Sequence, residues 1–421
     1  MKLLSKLLLL SLANISIAFL LSAHHPQYSG ISMLRMDMHG IVYTDSSRFI
    51  EQALVVVDDR LPLYSTLFFQ QHVKFIYPTS SLLVGSAAHI LHVPVGTVIN
   101  WLILISVPLT FLIAGDVFLV TLADNAIGIR GGPLAIRFLI ASLGVFFYPL
   151  LLSIGLGQVQ TFLTFLFTLS VWFWIRGEKA AAGICLAFIC VFKPPLVLFL
   201  LWAVLRRQWP FFWSFAAMLL LIQIVSGFLY GWRNEFGYLA VLNYLNHHGE
   251  IIIDNQSING LLERMFRNGG VDHRTDTSPY PSYNVFVYTG TLISSVVFLL
   301  FGLVTPVLRR WQATPSDFVL FGLIATIATP IVWTHHYGSF YIGSVYFLAV
   351  SLKQNGRIPY SFALCFLTLA NLWNILGRLQ ARVVWMPLFT YDLFAGLGII
   401  LLITFSLNHT KEANLIPPLM Y

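Results

Sequence analysis

Long apolar segments recur along the whole chain, and they constrain the fold more than any other feature of the sequence. Several are about 20 residues long, the length that an α-helix needs to cross the hydrocarbon of a bilayer. Only helices and closed barrels satisfy every backbone hydrogen bond inside a membrane, and continuous apolar runs are typical of helices. Only 10% of the residues are charged, against about 25% in a soluble domain. The chain is therefore predicted to be an all-α polytopic membrane protein.

The apolar segments predict about 11–13 transmembrane helices within one integral-membrane domain, residues 1–421. Two long loops, 24–79 and 230–283, are each expected to carry an amphipathic helix on the membrane surface, at Arg48–Val57 and Ser257–Phe266. Residues 79–93 are apolar but too short to cross the membrane. The predicted spans are 3–23, 95–121, 134–153, 159–175, 179–192, 196–206, 209–229, 285–305, 317–335, 338–352, 358–377 and 384–407.

Basic residues are distributed unevenly between the two ends of these spans, which predicts the orientation of the chain. With the N-terminus in the cytoplasm, the inner segments carry 13 Lys and Arg against four acidic residues. The outer segments carry 11 Lys and Arg against 11 acidic residues. This asymmetry follows the positive-inside rule. The prediction is a multi-pass protein of the plasma (inner) membrane whose two long loops lie on the outer or periplasmic face.

Four short polar segments interrupt the apolar runs, and all four lie on the predicted outer face. They are Gly157-Gln158-Val159-Gln160, Lys193-Pro194-Pro195, Asn255-Gln256-Ser257 and Trp333-Thr334-His335-His336. Polar groups within a membrane are costly, and they often mark a functional site. Acid, base and amide groups gathered at one face predict chemistry on a substrate that is carried by a lipid.

Lys193 follows an apolar segment and precedes two prolines, which interrupt the helix. Its ammonium group would either hold an anion such as a lipid phosphate or extend to the lipid headgroups. Gln158 offers both a donor and an acceptor at the start of a span. It would either bind a ligand or form an ordinary polar helix start.

The two histidines follow Trp333, and adjacent helical residues point about 100° apart, so at most one of them faces a given pocket. An imidazole there would stabilise a departing phosphate or bind a sugar hydroxyl, or both residues would lie in an aromatic belt at the interface. Asn255 opens a polar stretch in which Ser257 is also a candidate helix cap. No spacing of His, Cys and carboxylates predicts a metal site, and no cofactor is expected.

In their order along the chain, these segments resemble glycosyltransferase family 87, the polyprenol-phosphate-mannose-dependent mannosyltransferases of the C-type membrane glycosyltransferase superfamily. The resemblance extends over most of the chain. Thr79 stands where the family usually has a second proline. The matching elements are Pro62-Leu63-Tyr64, Phe75-Ile76-Tyr77-Pro78, Gly157-Gln158, Arg176-Gly177, Lys193 with its prolines, Arg206-Arg207, Asn255-Gln256-Ser257 and Trp333-Thr334-His335-His336.

The resemblance implies a membrane glycosyltransferase that transfers a hexose, expected to be mannose, from a polyprenyl-phosphate donor. The acceptor would be a lipid-linked or envelope glycan at the outer face, and the anomeric carbon would be inverted. It also implies a general base, an aspartate of the first loop followed at about four residues by an aromatic residue and then by alanine. Asp45 with Phe49 and Ala53 fits this phasing, and Asp37 is the second candidate.

The resemblance further implies how the substrates are bound. Lys193 and one of His335 and His336 would stabilise the phosphate without a metal ion. Gln158, Asn255 and Tyr77 would hold hydroxyl groups of the sugar or the acceptor. The expected partners are the donor lipid, the acceptor and membrane lipids, and not nucleic acid.

Two alternatives stay open at the level of the sequence. A related transferase would use another polyprenyl-linked sugar. A transporter or flippase of a lipid-linked saccharide would place similar polar groups in a membrane, although such proteins often contain inverted repeats and paired broken helices, which the sequence does not show.

Overall fold

The computed structural model describes residues 2–24, 45–123, 132–266, 280–308, 313–371, 373 and 389–409. Asp37 lies outside these residues. The described chain is helical, and within it β-type pairing is confined to one isolated antiparallel bridge between Asn255 and Trp333. The predicted class, an all-α polytopic membrane protein, is confirmed.

The described α-helices are numbered here in chain order. They are α1 (Lys2–His24), α2 (Asp45–Asp58), α3 (Leu83–Ile90), α4 (Val95–Leu122), α5 (Pro133–Val145), α6 (Tyr148–Gly155), α7 (Gln160–Ile175), α8 (Lys179–Cys190), α9 (Phe199–Leu205), α10 (Trp209–Tyr230), α11 (Trp232–His248), α12 (Ile258–Phe266), α13 (Val285–Leu308), α14 (Pro315–Ile327), α15 (Ser339–Asn355), α16 (Tyr360–Leu369) and α17 (Tyr391–His409). Short 3-10 helices cover Thr79–Leu82, Pro194–Leu198 and Thr334–Gly338, and a π-helix covers Ser65–Gln70.

Within the described ranges, four helices are long and apolar enough to cross a membrane: α1, α4, α10 and α13. A fifth span is possible if α5 and α6 cross together, but these two helices are bent by 63°. The predicted span 134–153 is therefore interrupted within its length, because Pro149 has no N–H to continue the helix through the bend. Other apolar helices have 10–17 residues, so the total of 11–13 spans stays a prediction.

The segment between α14 and α15 also differs from the prediction. A span was expected to continue to residue 335, but α14 ends at Ile327. Pro330 cannot donate a backbone hydrogen bond, and its carbonyl oxygen instead accepts from Ser257 Oγ at 2.7 Å. The chain consequently reaches Trp333 in an extended conformation, with φ −72° and ψ 155°.

The two amphipathic stretches predicted in the long loops are helical, as α2 and α12, and their place on the membrane surface stays a prediction. Ser257, a candidate helix cap in the sequence, does cap α12. Its Oγ accepts a hydrogen bond from the backbone N–H of Gly260 at 3.1 Å. The sequence did not predict α11. This helix begins after Gly231 and ends before Gly249, both with positive φ.

A buried ion pair fixes the helices on the side of the molecule away from Lys193. Arg206 Nε donates to Asp317 Oδ2 at 2.9 Å, and its Nη1 donates to the carbonyl oxygen of Leu303 at 2.7 Å. Trp174 stacks on Phe318 with ring centroids 4.5 Å apart beside this pair. Arg206 and Lys193 flank the helical segment Pro194–Leu205, so Lys193 stands at the end of this segment opposite the ion pair.

Candidate functional site

A cavity of about 450 Å³ lies between α11, the end of α14 and the break that follows α8. Its polar wall includes Tyr77, Gln158, Lys193 and His336, four of the residues that the sequence singled out, together with Trp333. The remaining wall is mostly apolar, as in most sites for organic ligands. Its apolar residues include Ile76, Leu163, Phe192, Leu196, Val197, Leu198, Leu242, Leu245, Ala325 and Ile331.

Asp45 adjoins this cavity through Gln158. Gln158 Nε2 donates to Asp45 Oδ2 at 2.5 Å. The aspartate is the first residue of α2, so its carboxylate also interacts favourably with the positive end of the helix dipole. Its side chain is 33% exposed. One hydrogen bond therefore separates a partly exposed carboxylate from the cavity wall.

Two hydroxyl groups fix the orientation of Gln158. Ser46 Oγ donates to Gln158 Oε1 at 3.0 Å and accepts from the backbone N–H of Val159 at 3.1 Å. The Tyr77 hydroxyl donates to the same Oε1 at 3.2 Å. Burial raises the pKa of Tyr77 to about 12, so this hydroxyl keeps its proton. The amide oxygen of Gln158 is thus occupied, and its NH₂ group is directed at Asp45.

The carboxyl group of Asp45 has a raised pKa. Burial raises the pKa of this carboxyl group. Arg48, the hydrogen bond from Gln158 and Lys74 lower the same pKa by smaller amounts. Arg48 Nη2 lies 3.9 Å from Asp45 Oδ1. Because a carboxylate with a higher pKa is a stronger base, this environment suits the acceptance of a proton.

Lys193 is a cation of the cavity wall without a carboxylate partner in the described structure. The ion pairs there join Arg48 to Asp45, Lys74 to Glu250, Arg137 to Asp116 and Arg206 to Asp317. Burial lowers the pKa of Lys193 to about 7. An anion in the cavity would favour its protonated form, so this part of the wall is suited to bind one.

His336 is the histidine that lines the cavity. Its Nδ1 accepts from the backbone N–H of Trp333 at 3.3 Å. Burial and the nearby Lys193 lower its pKa well below the usual value, so the ring is neutral at neutral pH. A neutral ring that accepts at Nδ1 carries its proton on Nε2. His336 can therefore donate a hydrogen bond from Nε2.

His335 and Asn255 lie behind the wall and do not line the cavity. His335 is 4% exposed, and its Nε2 has no hydrogen-bond partner among the described residues. Asn255 is fully buried. Its Nδ2 donates to the carbonyl oxygen of Glu250 at 2.8 Å, and its Oδ1 accepts from the N–H of Val332 at 3.0 Å. Asn255 thereby ties the second long loop to the segment that carries Trp333.

The structure adds two residues that the sequence did not single out, Lys74 and Glu250. Glu250 accepts from both Lys74 Nζ and Trp333 Nε1. Lys74 Nζ also lies 4.7 Å from the centroid of the Trp333 ring, a cation–π distance. Lys74 and Glu250 are 176 positions apart in the chain. Local sequence patterns in the two loops therefore do not predict that these residues form an ion pair.

Gly249 sets the position of Glu250, and we expect its replacement to destabilise the protein. Its φ of +60° and ψ of −150° lie in a region that is essentially restricted to glycine. A Cβ atom would stand 2.0 Å from Asn259 Oδ1. Gly249→Ala should lower the free energy of unfolding by roughly 1–3 kcal/mol.

Thermal unfolding of the detergent-solubilised protein measures this effect. Gly132→Ala is the matched control, because φ at Gly132 is −50° and a Cβ there meets nothing within 4 Å. Equal melting temperatures for Gly249→Ala and the control would contradict the prediction.

Comparison with known proteins gives one match. The model of glycosyltransferase family 87 matches residues 75–332, more than half of the chain. The matched range contains Tyr77, Gln158, Lys193 and Asn255, whereas Asp45 and the two histidines lie outside it. No curated protein and no solved structure matches the chain.

Proposed function

Because the chain belongs to glycosyltransferase family 87 and is a membrane glycosyltransferase, we propose that it transfers a hexose from a polyprenyl-phosphate sugar. The hexose is expected to be mannose, and the acceptor is a lipid-linked or envelope glycan. The reaction takes place at the outer or periplasmic face of the plasma membrane. The sugar and the donor lipid are carried over from the resemblance of the sequence to this family.

The observation that carries the proposal is a lysine in the wall of a largely apolar cavity that pairs with no carboxylate among the described residues. Lys193 is protonated most readily beside an anion, and the apolar residues around it suit a hydrocarbon chain. A polyprenyl-phosphate sugar combines these properties, because one anionic phosphate joins an apolar chain to a polar ring. Such a lipid stays in the bilayer, so the enzyme that uses it has to present its cation within or beside the membrane.

The proposed chemistry is a single displacement with inversion. The acceptor hydroxyl oxygen forms a bond to the anomeric carbon while the bond from that carbon to the phosphate oxygen breaks. The bonding electrons leave with the phosphate, and Asp45 takes the proton of the hydroxyl as general base. Gln158 orients the carboxylate of Asp45 through the 2.5 Å hydrogen bond.

The leaving phosphate gains negative charge as the bond breaks. Lys193 and His336 line the cavity, and the ammonium group of one and the Nε2–H of the other would stabilise that charge as fixed donors in a water-poor site. A lipid phosphate is a stable anion, so it leaves without a proton from a general acid. Tyr77 and Gln158 form part of the cavity wall that is proposed to bind the donor lipid. Asn255 and His335 do not line the cavity and support this wall from behind.

The arrangement of the chain supports the proposed side of the membrane. Asp45, Lys74 and Glu250 come from the two predicted outer loops, and Gln158 and Trp333 come from predicted outer ends of spans. In the structure these five residues are joined by hydrogen bonds and electrostatic contacts. Their proximity agrees with a common face, as the distribution of basic residues in the sequence predicts.

Reconstituted vesicles test the proposed function. Purified protein would be supplied with a panel of polyprenyl-phosphate sugars, radiolabelled in the sugar, and with total membrane lipid as acceptor. Transfer of label to a new product supports the proposal, with mannose expected to transfer fastest. Movement of the intact donor across the bilayer without product would identify a transporter instead. No product from any polyprenyl-phosphate sugar would contradict the proposed donor class.

A further inference from the structure

Glu250 is a fully buried carboxylate with no part in the displacement proposed above. It is 0% exposed. Its backbone N–H donates to Asn259 Oδ1 at 3.0 Å, and its carbonyl oxygen accepts from Asn255 Nδ2. Burying a carboxylate is costly unless charged or hydrogen-bonded partners compensate. The partners of this carboxylate therefore indicate which groups it holds in position.

Those partners come from the two segments on either side of the cavity. Oε1 pairs with Lys74, which precedes Tyr77 in the first long loop. Oε2 accepts from Nε1 of Trp333, which precedes His336. Lys74 also lies against the Trp333 ring. Glu250, Lys74 and Trp333 thus form a closed set of three contacts, which we name the Glu250 clamp.

We propose that Glu250 is a positioning residue for the transfer reaction: it fixes Lys74 against Trp333 and balances the charge of Lys74 close to Asp45. The clamp joins the first loop, the second loop and the segment after α14, so these segments keep one relative geometry. The inference rests on the proposed function, in which Asp45 is the base. Glu250 acts through Lys74 and Trp333 and makes no contact with the reacting atoms.

The charges around the clamp determine the expected effects of substitution. Asp45 interacts with Arg48 on its own helix and with Gln158, Lys74 and Tyr77 from other segments. Lys74 and Glu250 together are neutral, so the loss of one partner leaves the other uncompensated near Asp45. The groups that interact with Lys74 are Asp45, Glu250, Asp254, Tyr280, Trp333 and His335.

Single substitutions should therefore move the acidic limb of the pH–rate profile in opposite directions. Glu250→Gln keeps an acceptor for the Trp333 indole but leaves Lys74 unbalanced, which favours the ionised form of Asp45. The limb should move to lower pH by about one unit. Lys74→Met leaves Glu250 unbalanced, which disfavours the ionised form of Asp45, and the limb should move to higher pH by about one unit.

The double variant completes the test. In Lys74→Met with Glu250→Gln, the limb should return toward the wild-type position because neither charge remains. Each single variant should lower kcat about tenfold through misplacement of the site. The loss in the double variant should be smaller than the product of the two single losses, as residues in direct contact show.

The experiment measures kcat and kcat/KM against pH for the wild type, the two single variants and the double variant, with thermal unfolding as the check of folding. The paired control is Arg137→Met with Asp116→Asn, an ion pair between α4 and α5 that does not line the cavity. This control should leave the limb unchanged. Opposite shifts with a restored limb in the double variant support the proposal. Unshifted limbs, or shifts in one direction only, would assign Glu250 a purely structural role and overturn it.

Two further variants keep the proposal separate from the assignment of the base. If Glu250→Gln does not fold, Glu250→Asp replaces it, and this variant should lower kcat without moving the limb. If Asp45→Asn is fully active, the proposed base is wrong. The clamp is then tested by kcat against KM and stability: a lower kcat with unchanged KM and unchanged thermal unfolding supports it, and a loss of activity that only follows a loss of stability overturns it.

Discussion

Asp45→Asn is expected to lower the rate of sugar transfer about 10²–10⁴-fold, the usual contribution of a general base. Asparagine has the shape of aspartate, and its Oδ1 can still accept from Gln158 Nε2. It cannot take the proton of the acceptor hydroxyl. The KM for the donor should stay close to that of the wild type, because Asp45 does not line the cavity that is proposed to bind the donor.

Initial rates with a saturating radiolabelled donor measure this effect, and thermal unfolding checks the fold. Glu51→Gln is the matched control, since it makes the same chemical change on the exposed side of α2. Transfer by Asp45→Asn within tenfold of the wild type would remove Asp45 from the role of base. Loss of activity in Asp37→Asn together with an active Asp45→Asn would assign that role to the second candidate.

The second large effect is expected at Lys193. Lys193→Met should lower kcat/KM for the donor about 10²–10³-fold, the usual cost of losing one fixed group that stabilises developing charge. The charge on the phosphate is larger in the transition state than in the bound donor, so kcat should fall more than KM rises. Lys193→Arg should recover part of the rate, because it keeps the positive charge in a different shape.

Lys179→Gln is the control for this substitution. Lys179 begins α8, the helix that ends shortly before Lys193, and its Nζ donates to the carbonyl oxygen of Trp174 at 3.2 Å. Glutamine can keep that hydrogen bond, so activity should be retained. A folded Lys193→Met protein with wild-type kcat/KM would show that the phosphate is neutralised elsewhere.

The sequence predicts those parts of the fold and the site that show as apolar runs, or as polar residues within such runs. Apolar runs predict the helical class, and Lys193 and Gln158 are conspicuous because each interrupts such a run. The bend between α5 and α6 and the early end of α14 were missed, although Pro149 and Pro330 stand at these places. A proline within an apolar run is compatible with both a kinked span and a break.

The remainder of the site depends on contacts between distant segments. Asn255 and Lys193 are both polar residues in polar segments, yet backbone groups occupy the amide of Asn255, whereas no described carboxylate pairs with Lys193. In the sequence, Glu250 and Lys74 are indistinguishable from other charged loop residues, and only the folded structure shows that they form an ion pair. Only the fold distinguishes a polar side chain that supports the backbone from one that faces the cavity.

No carboxylate in the described part of the chain pairs with Lys193, and this has a consequence for turnover. A polyprenyl-phosphate sugar is a phosphodiester with one negative charge, whereas the lipid monophosphate left after transfer carries about −1.5 to −2 at pH 7. If the proposed donor is correct, we expect the same lysine to hold the spent carrier lipid more tightly than the donor, because no described carboxylate pairs with this lysine and offsets its charge. In the proposed reaction, we therefore expect accumulated carrier lipid to act as a product inhibitor.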